Sequence, residues 1–387
     1  MSGKSLELRK FVAPEFIYGT GALSLTGRYA QNLGARKALV VTDPGVIENG
    51  WADKVCESLR KEGISTTVFS DVTPNPKDYE VEAGCNVYDK NRCDIIVAIG
   101  GGSPIDCAKG IGIAHANNCS VLDFEGVDEV PLPGPPLICI PTTAGSSADV
   151  SQFAIITDSA RQLKIAIVSK MVVPDVALID PETTSTMPAE LTAATGMDAL
   201  VHAIEAYVSN ASSPITDLNA LQSIRLISNN LLAAIKDPEN LLYRDQMMTA
   251  SLLAGLAFSN ASLGLVHAMA HALGGLLGAP HGLCNALLLE SVIEFNYPTA
   301  VKRYNQIAKT MGMKLTGIHS EEHCSTLIEG IALLRREAGI EQGISKLGVL
   351  RETIPQLAKN AFNDACSVTN PRPVGMKEIE AIYERAL

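Results

Sequence analysis

Up to Pro181 the sequence alternates short apolar runs with helical patterns; after it the pattern is amphipathic and apolar helices to the C-terminus. Lys37 to Thr42 is an apolar run bounded by Gly34 and Asp43-Pro44-Gly45, which reads as a buried strand and a turn. A helical pattern covers Ile47 to Glu62, a second strand Ser65 to Phe69, a helix Asp78 to Lys90 and a third strand Asp94 to Ile99. Gly100-Gly101-Gly102-Ser103 then opens a helix from Pro104 to about Ala114. Shorter strand-like runs follow at Leu137 to Pro141, Phe153 to Thr157, Lys164 to Val168 and Val176 to Asp180. Strands alternating with helices predict a parallel sheet covered on both faces. The expected organisation is an α/β domain over residues 1–184 and an all-helical domain over 185–387, with the boundary near Pro181 to Pro188.

Composition narrows the function classes. The chain has 387 residues and is acidic, with 31 Lys+Arg against 42 Asp+Glu; no basic run or aromatic-basic patch invites nucleic acid. The N-terminus has no apolar signal segment, and the nearest approach to a membrane span, Leu252 to Leu277, is interrupted by Ser, Asn, His and Gly. Neither a nucleic-acid nor a membrane partner is expected. Nine scattered cysteines without a C-x-x-C pair predict reduced thiols in a cytoplasmic protein. With its first strand at Lys37, the chain is not expected to carry a fused aldehyde dehydrogenase.

Chemistry concentrates in the helical half. Gly264 to His281 holds three of the chain's seven histidines, His267, His271 and His281, and no charged residue. His267 and His271 are four apart and share a helix face. A lone histidine on such a face is usually core, but three together suit a metal or a proton relay. Upstream, Asp198 and His202 repeat the spacing of four, and an Asp in so apolar a stretch is costly to bury unless paired or bound to a cation. One carboxylate with imidazoles fits divalent iron or zinc better than calcium or magnesium. The residues alone point to Asp198, His202 and two of the three downstream histidines.

The glycine turn is the second feature. Glycines between a strand and a helix let backbone N–H groups and the helix N-terminus face a phosphate. Asp43, at the end of the first strand, is placed to accept from a ribose; its charge would repel a 2′-phosphate and so favour NAD over NADP. It precedes the glycines, whereas the common dinucleotide fingerprint places the acidic residue about 20 residues after them. Thr142-Thr143-Ala144-Gly145-Ser146-Ser147 adds a hydroxyl-rich loop.

Several stretches together resemble the iron-containing (group III) alcohol dehydrogenases, within the dehydroquinate synthase-like superfamily. They are Gly-Gly-Gly-Ser-Pro-Ile-Asp (100–106), Pro-Thr-Thr-Ala-Gly (141–145), Gly-Met-Asp-Ala-Leu-Val-His-Ala-Ile-Glu (196–205), Val-His-Ala-Met-Ala-His-Ala-Leu-Gly-Gly (266–275), Pro-His-Gly (280–282) and Asp-Ala-Cys-Ser-Val-Thr-Asn-Pro-Arg (364–372). They run in the family's order and cover nearly the whole chain. The resemblance implies a Rossmann-like N-terminal domain, a helical C-terminal domain and a homo-oligomer.

It also implies roles. Asp198, His202, His267 and His281 match the family's metal ligands, usually for ferrous iron, although the ligand set would also accept zinc. His271 matches the histidine beside the metal and is the candidate for the proton path. Asp43 and Asn75 match residues near the adenosine and diphosphate of NAD. Gly101, Gly102, Ser103 and Asp106 match the diphosphate turn and the carboxylate near the nicotinamide. Thr142 and Thr143 match the cofactor-side loop, and Lys164 a cofactor-contacting lysine. Phe258 and Cys366 fall at substrate-pocket positions. After Ala144-Gly145 the family usually continues Thr-Gly-Ser-Glu, whereas this chain has Ser146-Ser147-Ala148-Asp149. The hydroxyl at 146 is kept, and Ser146 is expected to contact the cofactor.

The implied reaction interconverts a small alcohol and its aldehyde by hydride transfer to NAD in the cleft between the domains, the metal polarising the substrate oxygen. A lyase of the dehydroquinate type would want basic residues around an anionic substrate, whereas Ala, Leu and Phe surround the metal stretch. A purely structural metal would be closed by its protein ligands. His319-Ser320-Glu321-Glu322-His323 matches an inverted zinc-protease pattern, but its polar setting reads as a solvated helix start.

Overall fold

The computed structural model describes residues 8–341 and 343–387, which cluster into two compact units. One holds residues 13–188 and 238–248; the other holds 8–12, 189–237 and the described residues from 249 to 387.

The first unit contains strands β1 (Glu15–Tyr18), β2 (Lys37–Val41), β3 (Ser65–Phe69), β4 (Ile95–Gly100), β5 (Gly126–Val127), β6 (Leu137–Pro141), β7 (Phe153–Asp158), β8 (Leu163–Val168) and β9 (Val176–Ile179). Its helices are α1 (Thr26–Asn32), α2 (Pro44–Glu48), α3 (Trp51–Lys61), α4 (Asp78–Asn91) and α5 (Gly102–Asn117). Six strands form a sheet in the order β1-β9-β6-β4-β2-β3, every pair parallel, as the alternating pattern predicts. Successive side chains on a strand point to opposite faces. Accordingly Leu39 and Ile96 join Ile105 and Ile111 of α5 in one apolar core, while Val40 and Val97 join Trp51, Val55 and Leu59 of α3 in another. All six residues of β4 are buried, which is why it reads as a continuous apolar run.

Three features depart from the sequence reading. Residues 153–157 and 164–168 are strands, but β7 and β8 pair antiparallel in a separate sheet of order β5-β8-β7. The single helix expected over 47–62 is two helices, parted at Gly50, whose φ of +76° lies in the left-handed region. Asp43-Pro44-Gly45 is the start of α2 rather than a free turn: Asp43 Oδ1 accepts from the Val46 N–H at 3.0 Å and Pro44 takes the first helical position. In addition, β1 forms a sheet edge ahead of the expected first strand, and its parallel partner β9 lies far along the chain.

Beyond Pro188 the regular structure is helical: α6 (Ala189–Val208), α7 (Pro214–Lys236), α8 (Leu241–Ala261), α9 (Leu265–Leu277), α10 (His281–Asn296), α11 (Val301–Thr310), α12 (His323–Glu337), α13 (Ile354–Asn363) and α14 (Met376–Ala386), with short 3-10 turns between. The first turns of α8 cluster with the α/β unit. In return, the segment ending at Val12 belongs to the helical unit, where the Asn260 side chain brackets the Val12 backbone with two hydrogen bonds. Ten consecutive residues of α9, from Leu265 to Gly274, are buried, so its imidazoles sit in the core. No single helix is long and apolar enough to cross a membrane; α8 and α9 pass by length and composition only as a pair, bent by 101°. All nine cysteines are free thiols.

Candidate active site

In the helical unit, α6 carries Asp198, His202 and Glu205 on one buried face, at the i, i+4 and i+7 spacing. Facing it are His267 and His271 of α9 and His281, the first residue of α10. Gly282 makes this approach possible: a Cβ there would lie 2.4 Å from the Ala194 carbonyl oxygen and 3.3 Å from Asp198 Cβ. The Pro-His-Gly sequence thus presses the N-terminus of α10 directly onto α6.

Asp198, His267 and His281 each offer one ligand atom, and these atoms lie within 4.8 Å of one another. Asp198 Oδ1 is 3.9 Å from the Nε2 of both His267 and His281. A carboxylate oxygen and two imidazole nitrogens converging in a buried pocket fit a divalent transition metal. His202 stacks on His267 (centroids 4.5 Å apart) and on Phe258 (4.3 Å), beside this trio but outside the converging set.

Behind the trio stand residues to which sequence reasoning gave no role. Glu205 Oε2 lies 2.7 Å from His267 Nδ1 and accepts from the Gly264 N–H, while Oε1 accepts from Val266 N–H at 2.7 Å. Burial pushes the Glu205 carboxyl up to about 7, against the pull of the backbone N–H groups. A carboxylate on Nδ1 favours the tautomer whose Nε2 carries the lone pair, the arrangement a metal-binding imidazole needs. Asp364 does the same for His271, with Oδ2 2.8 Å from Nδ1. Burial raises the Asp364 carboxyl, but the His271 charge and the Cys366 backbone N–H outweigh it and hold it below the usual carboxylate range. His271 also stacks on His281, with centroids 5.3 Å apart. Cys366 is buried and its thiol is pushed well above the ordinary range, so it is a neutral wall. Asn285, one turn beyond His281 on α10, donates to Asp198 Oδ1 at 2.6 Å. Its signal was the spacing of four from His281, repeating the spacing of the other two pairs.

In the α/β unit, β4 runs into the glycine turn. Gly100 has φ +153°, and a Cβ there would meet Pro104 at 2.6 Å. At Gly101 a Cβ would come within 3.2 Å of Thr143, and at Gly102 within 3.0 Å of Ser146, so the hydroxyl-rich loop packs against the turn that opens α5. The Thr142 N–H donates to the Gly100 carbonyl at 2.9 Å. Asn75, at φ +58°, donates its N–H to Ser103 Oγ at 3.3 Å, and Thr157, cross-strand partner of the buried Lys164, donates its hydroxyl to the Asn75 carbonyl. Asn75, Ser103, Thr142, Thr143, Ser146 and the glycines therefore share one neighbourhood. Asp43 lies beside it, since a Cβ at Gly100 would be 3.4 Å from Asp43 Oδ2. Burial raises the Asp43 carboxyl while the Val46 and Gly45 N–H groups lower it. Such a small-residue cradle at a helix N-terminus fits a diphosphate.

Asp106 accepts from the Ile155 N–H at 3.2 Å. One turn on, the buried Lys109 donates to the Ser151 and Phe153 carbonyls at 2.9 and 2.6 Å, and burial lowers its pKa. These two residues pin α5 to β7, and Lys109 is another residue that sequence reasoning passed over. The residues at 319–322 are exposed, as expected of a solvated helix start.

Comparison with known proteins decides the family. The profile "Iron-containing alcohol dehydrogenase" matches residues 13–181, and "Fe-containing alcohol dehydrogenase family, C-terminal" matches residues 192–387. The chain belongs to the iron-containing alcohol dehydrogenases. It is 43% identical to a 1,3-propanediol dehydrogenase of Klebsiella pneumoniae, covering 95% of this chain and 96% of that one. To an NAD-dependent methanol dehydrogenase of Bacillus methanolicus it is 38% identical, covering 97% and 99%. The crystal structure of a 1,3-propanediol oxidoreductase superimposes with a TM-score of 0.95 at 42% identity, covering 98% and 100%. This alcohol dehydrogenase accordingly has the two-part fold of its family, and membership implies iron and NAD(H).

Proposed function

We propose that this alcohol dehydrogenase interconverts a small primary alcohol or diol with its aldehyde, using NAD and an iron ion held by Asp198, His202, His267 and His281. The observation that carries the reading is the convergence of Asp198, His267 and His281 within 4.8 Å, with Glu205 locked onto the far nitrogen of His267. The chemistry supplied on binding is Lewis-acid polarisation of the substrate oxygen by the ion and hydride exchange with the nicotinamide. The protein's part is to arrange the donors. Glu205 fixes the His267 tautomer, and Asp364 fixes the orientation of His271, whose ring takes the proton the alcohol loses and passes it on. Phe258 and the un-ionised Cys366 supply apolar, neutral wall, which suits substrates of the size and charge named for the propanediol and methanol relatives.

On the cofactor side, the reading assigns the diphosphate to Gly101, Gly102 and Ser103, with Asn75, Asp106, Thr142, Thr143, Ser146 and Lys164 around it. Asp43 selects NAD by its charge. The nine free thiols support a cytoplasmic setting, and the family resemblance supports a homo-oligomer.

The test is anaerobic NADH oxidation with short aldehydes, with and without added ferrous iron. Turnover that needs iron and disappears in His267→Ala, with helicity retained, is expected. Full iron occupancy with no turnover on any short alcohol or aldehyde would overturn the reading. Asp43→Ser keeps an acceptor for capping α2 but removes the charge, so a rise of about tenfold in the relative use of NADP is expected; unchanged preference would remove Asp43 from cofactor selection.

A further inference from the structure

Asn285 is completely buried, in a cage already crowded with polar groups. Its Nδ2 lies 2.6 Å from Asp198 Oδ1, 3.1 Å from His267 Nε2 and 3.2 Å from His281 Nε2. Those lengths say what kind of position the amide occupies. Oxygen and nitrogen ligands bind zinc-sized ions at about 2.0–2.2 Å. An atom standing where the ion belongs would be that close to all three donors, whereas ligands sharing one ion neighbour each other at roughly 3 Å. The amide therefore stands at a ligand position. Its other polar atom, Oδ1, is buried with no hydrogen-bond partner, an expensive condition for an amide oxygen. A half-turn about the last side-chain torsion exchanges oxygen and nitrogen at almost constant shape.

We infer that Asn285 supplies an amide-oxygen ligand to the cation bound by Asp198, His267 and His281, an inference that rests on the metal centre proposed above. Half a turn of the amide replaces an N–H donor by an oxygen acceptor at the same vertex. A neutral oxygen is a harder donor than imidazole, and harder ions prefer oxygen. Asn285 thus biases the site toward iron, manganese or cobalt over zinc.

The test is titration of metal-stripped full-length chain with Co²⁺ and with Zn²⁺, with affinities from chelator competition and coordination from the visible absorption of the Co²⁺ form. Asn285→Ala is expected to lose about 10–100-fold in Co²⁺ affinity, to lose less for Zn²⁺ and to change the Co²⁺ spectrum. Asn285→Asp, nearly identical in shape, guards against misfolding of the alanine variant and is expected to bind Co²⁺ more tightly than the wild type. Wild-type affinity and spectrum in Asn285→Ala would overturn the inference while leaving the metal centre standing. Weaker binding in Asn285→Asp would overturn it too, reducing Asn285 to an N–H donor to Asp198. Failure of the wild-type chain to bind one Co²⁺ would remove the metal centre itself.

Discussion

The helical unit and the α/β unit build their polar regions from different material. Around His267 the polar atoms belong to side chains from α6, α9 and α10, and each is answered by another side chain or a helix N–H. Around Gly101 the surface is backbone and small hydroxyls, packed so closely that a single Cβ at Gly101 or Gly102 would strike Thr143 or Ser146. The first region places charge and lone pairs at fixed points in a low-dielectric interior. The second shapes a concavity in which no one side chain is indispensable. Substitutions should therefore act steeply and chemically in the first, and gently, through conformation, in the second.

Glu205→Gln probes the steep side and should have the largest effect. The carboxylate accepts from the Gly264 and Val266 N–H groups and faces His267 Nδ1, whereas a glutamine can turn only one acceptor toward them. At least one buried donor is left facing an NH₂ group, at a cost of about 1–3 kcal/mol. Loss of control over the His267 tautomer should lower cation affinity about 10–100-fold. Chelator competition measures the second effect and urea unfolding the first. Wild-type cation affinity in Glu205→Gln would mean that α9 alone orients His267, and the contrast between the two regions would weaken.

An intermediate case lies in the α/β unit, where Asp149 is buried without the three donors that surround Glu205. Burial pushes its carboxyl up to about 6, against its own backbone N–H and the Lys109 charge. Because the folded value is raised, the fold favours the protonated acid. No penalty exists below the ordinary value of 3.8; stability is lost as pH rises toward and through about 6. At about 1.4 kcal/mol per tenfold change, the full penalty is roughly 3 kcal/mol. Asp149→Asn removes the titration, so its stability relative to the wild type should grow between pH 4 and pH 7.5 in urea unfolding. Parallel pH profiles would show that Lys109 already compensates the charge.

How much of this was legible follows the same division. Ligand candidates were visible because Asp198 with His202, and His267 with His271, repeat a helical spacing within single segments. Glu205 lay in a recognised stretch but needed the structure to show that it points at His267 across two helices. Asp364 is 93 residues from His271, a partnership no local pattern encodes. In the fold, apolar runs located β2, β3, β4, β6 and β9, since strands buried on both faces need no alternation to be seen. They could not separate β7 and β8 from the main sheet, because pairing direction is set by partners and not by hydrophobicity. β1 escaped because its four residues lie at an edge, mostly exposed, and carry little apolar signal. The break at Gly50 was hidden inside a helical pattern that resumes at once on its far side.

The smallest expected effect tests the gentle side. Ser147 adopts φ +51°, a left-handed conformation in which an L-residue costs about 1–2 kcal/mol, at the point where the family's usual loop has glycine. Its hydroxyl returns part of that by donating to the Gly145 carbonyl at 3.3 Å, a long hydrogen bond. Ser147→Gly relieves the backbone, loses this bond and makes the unfolded chain more flexible by about 0.4–1 kcal/mol. The balance should be a gain of no more than about 1 kcal/mol, read as a small rise in unfolding midpoint. NAD affinity should stay unchanged, because the cradle's neighbours are Thr143 and Ser146, which the substitution leaves in place. A clear fall in NAD affinity would show that the departure at 147 is used by the cofactor, so that in this loop a single side chain matters after all.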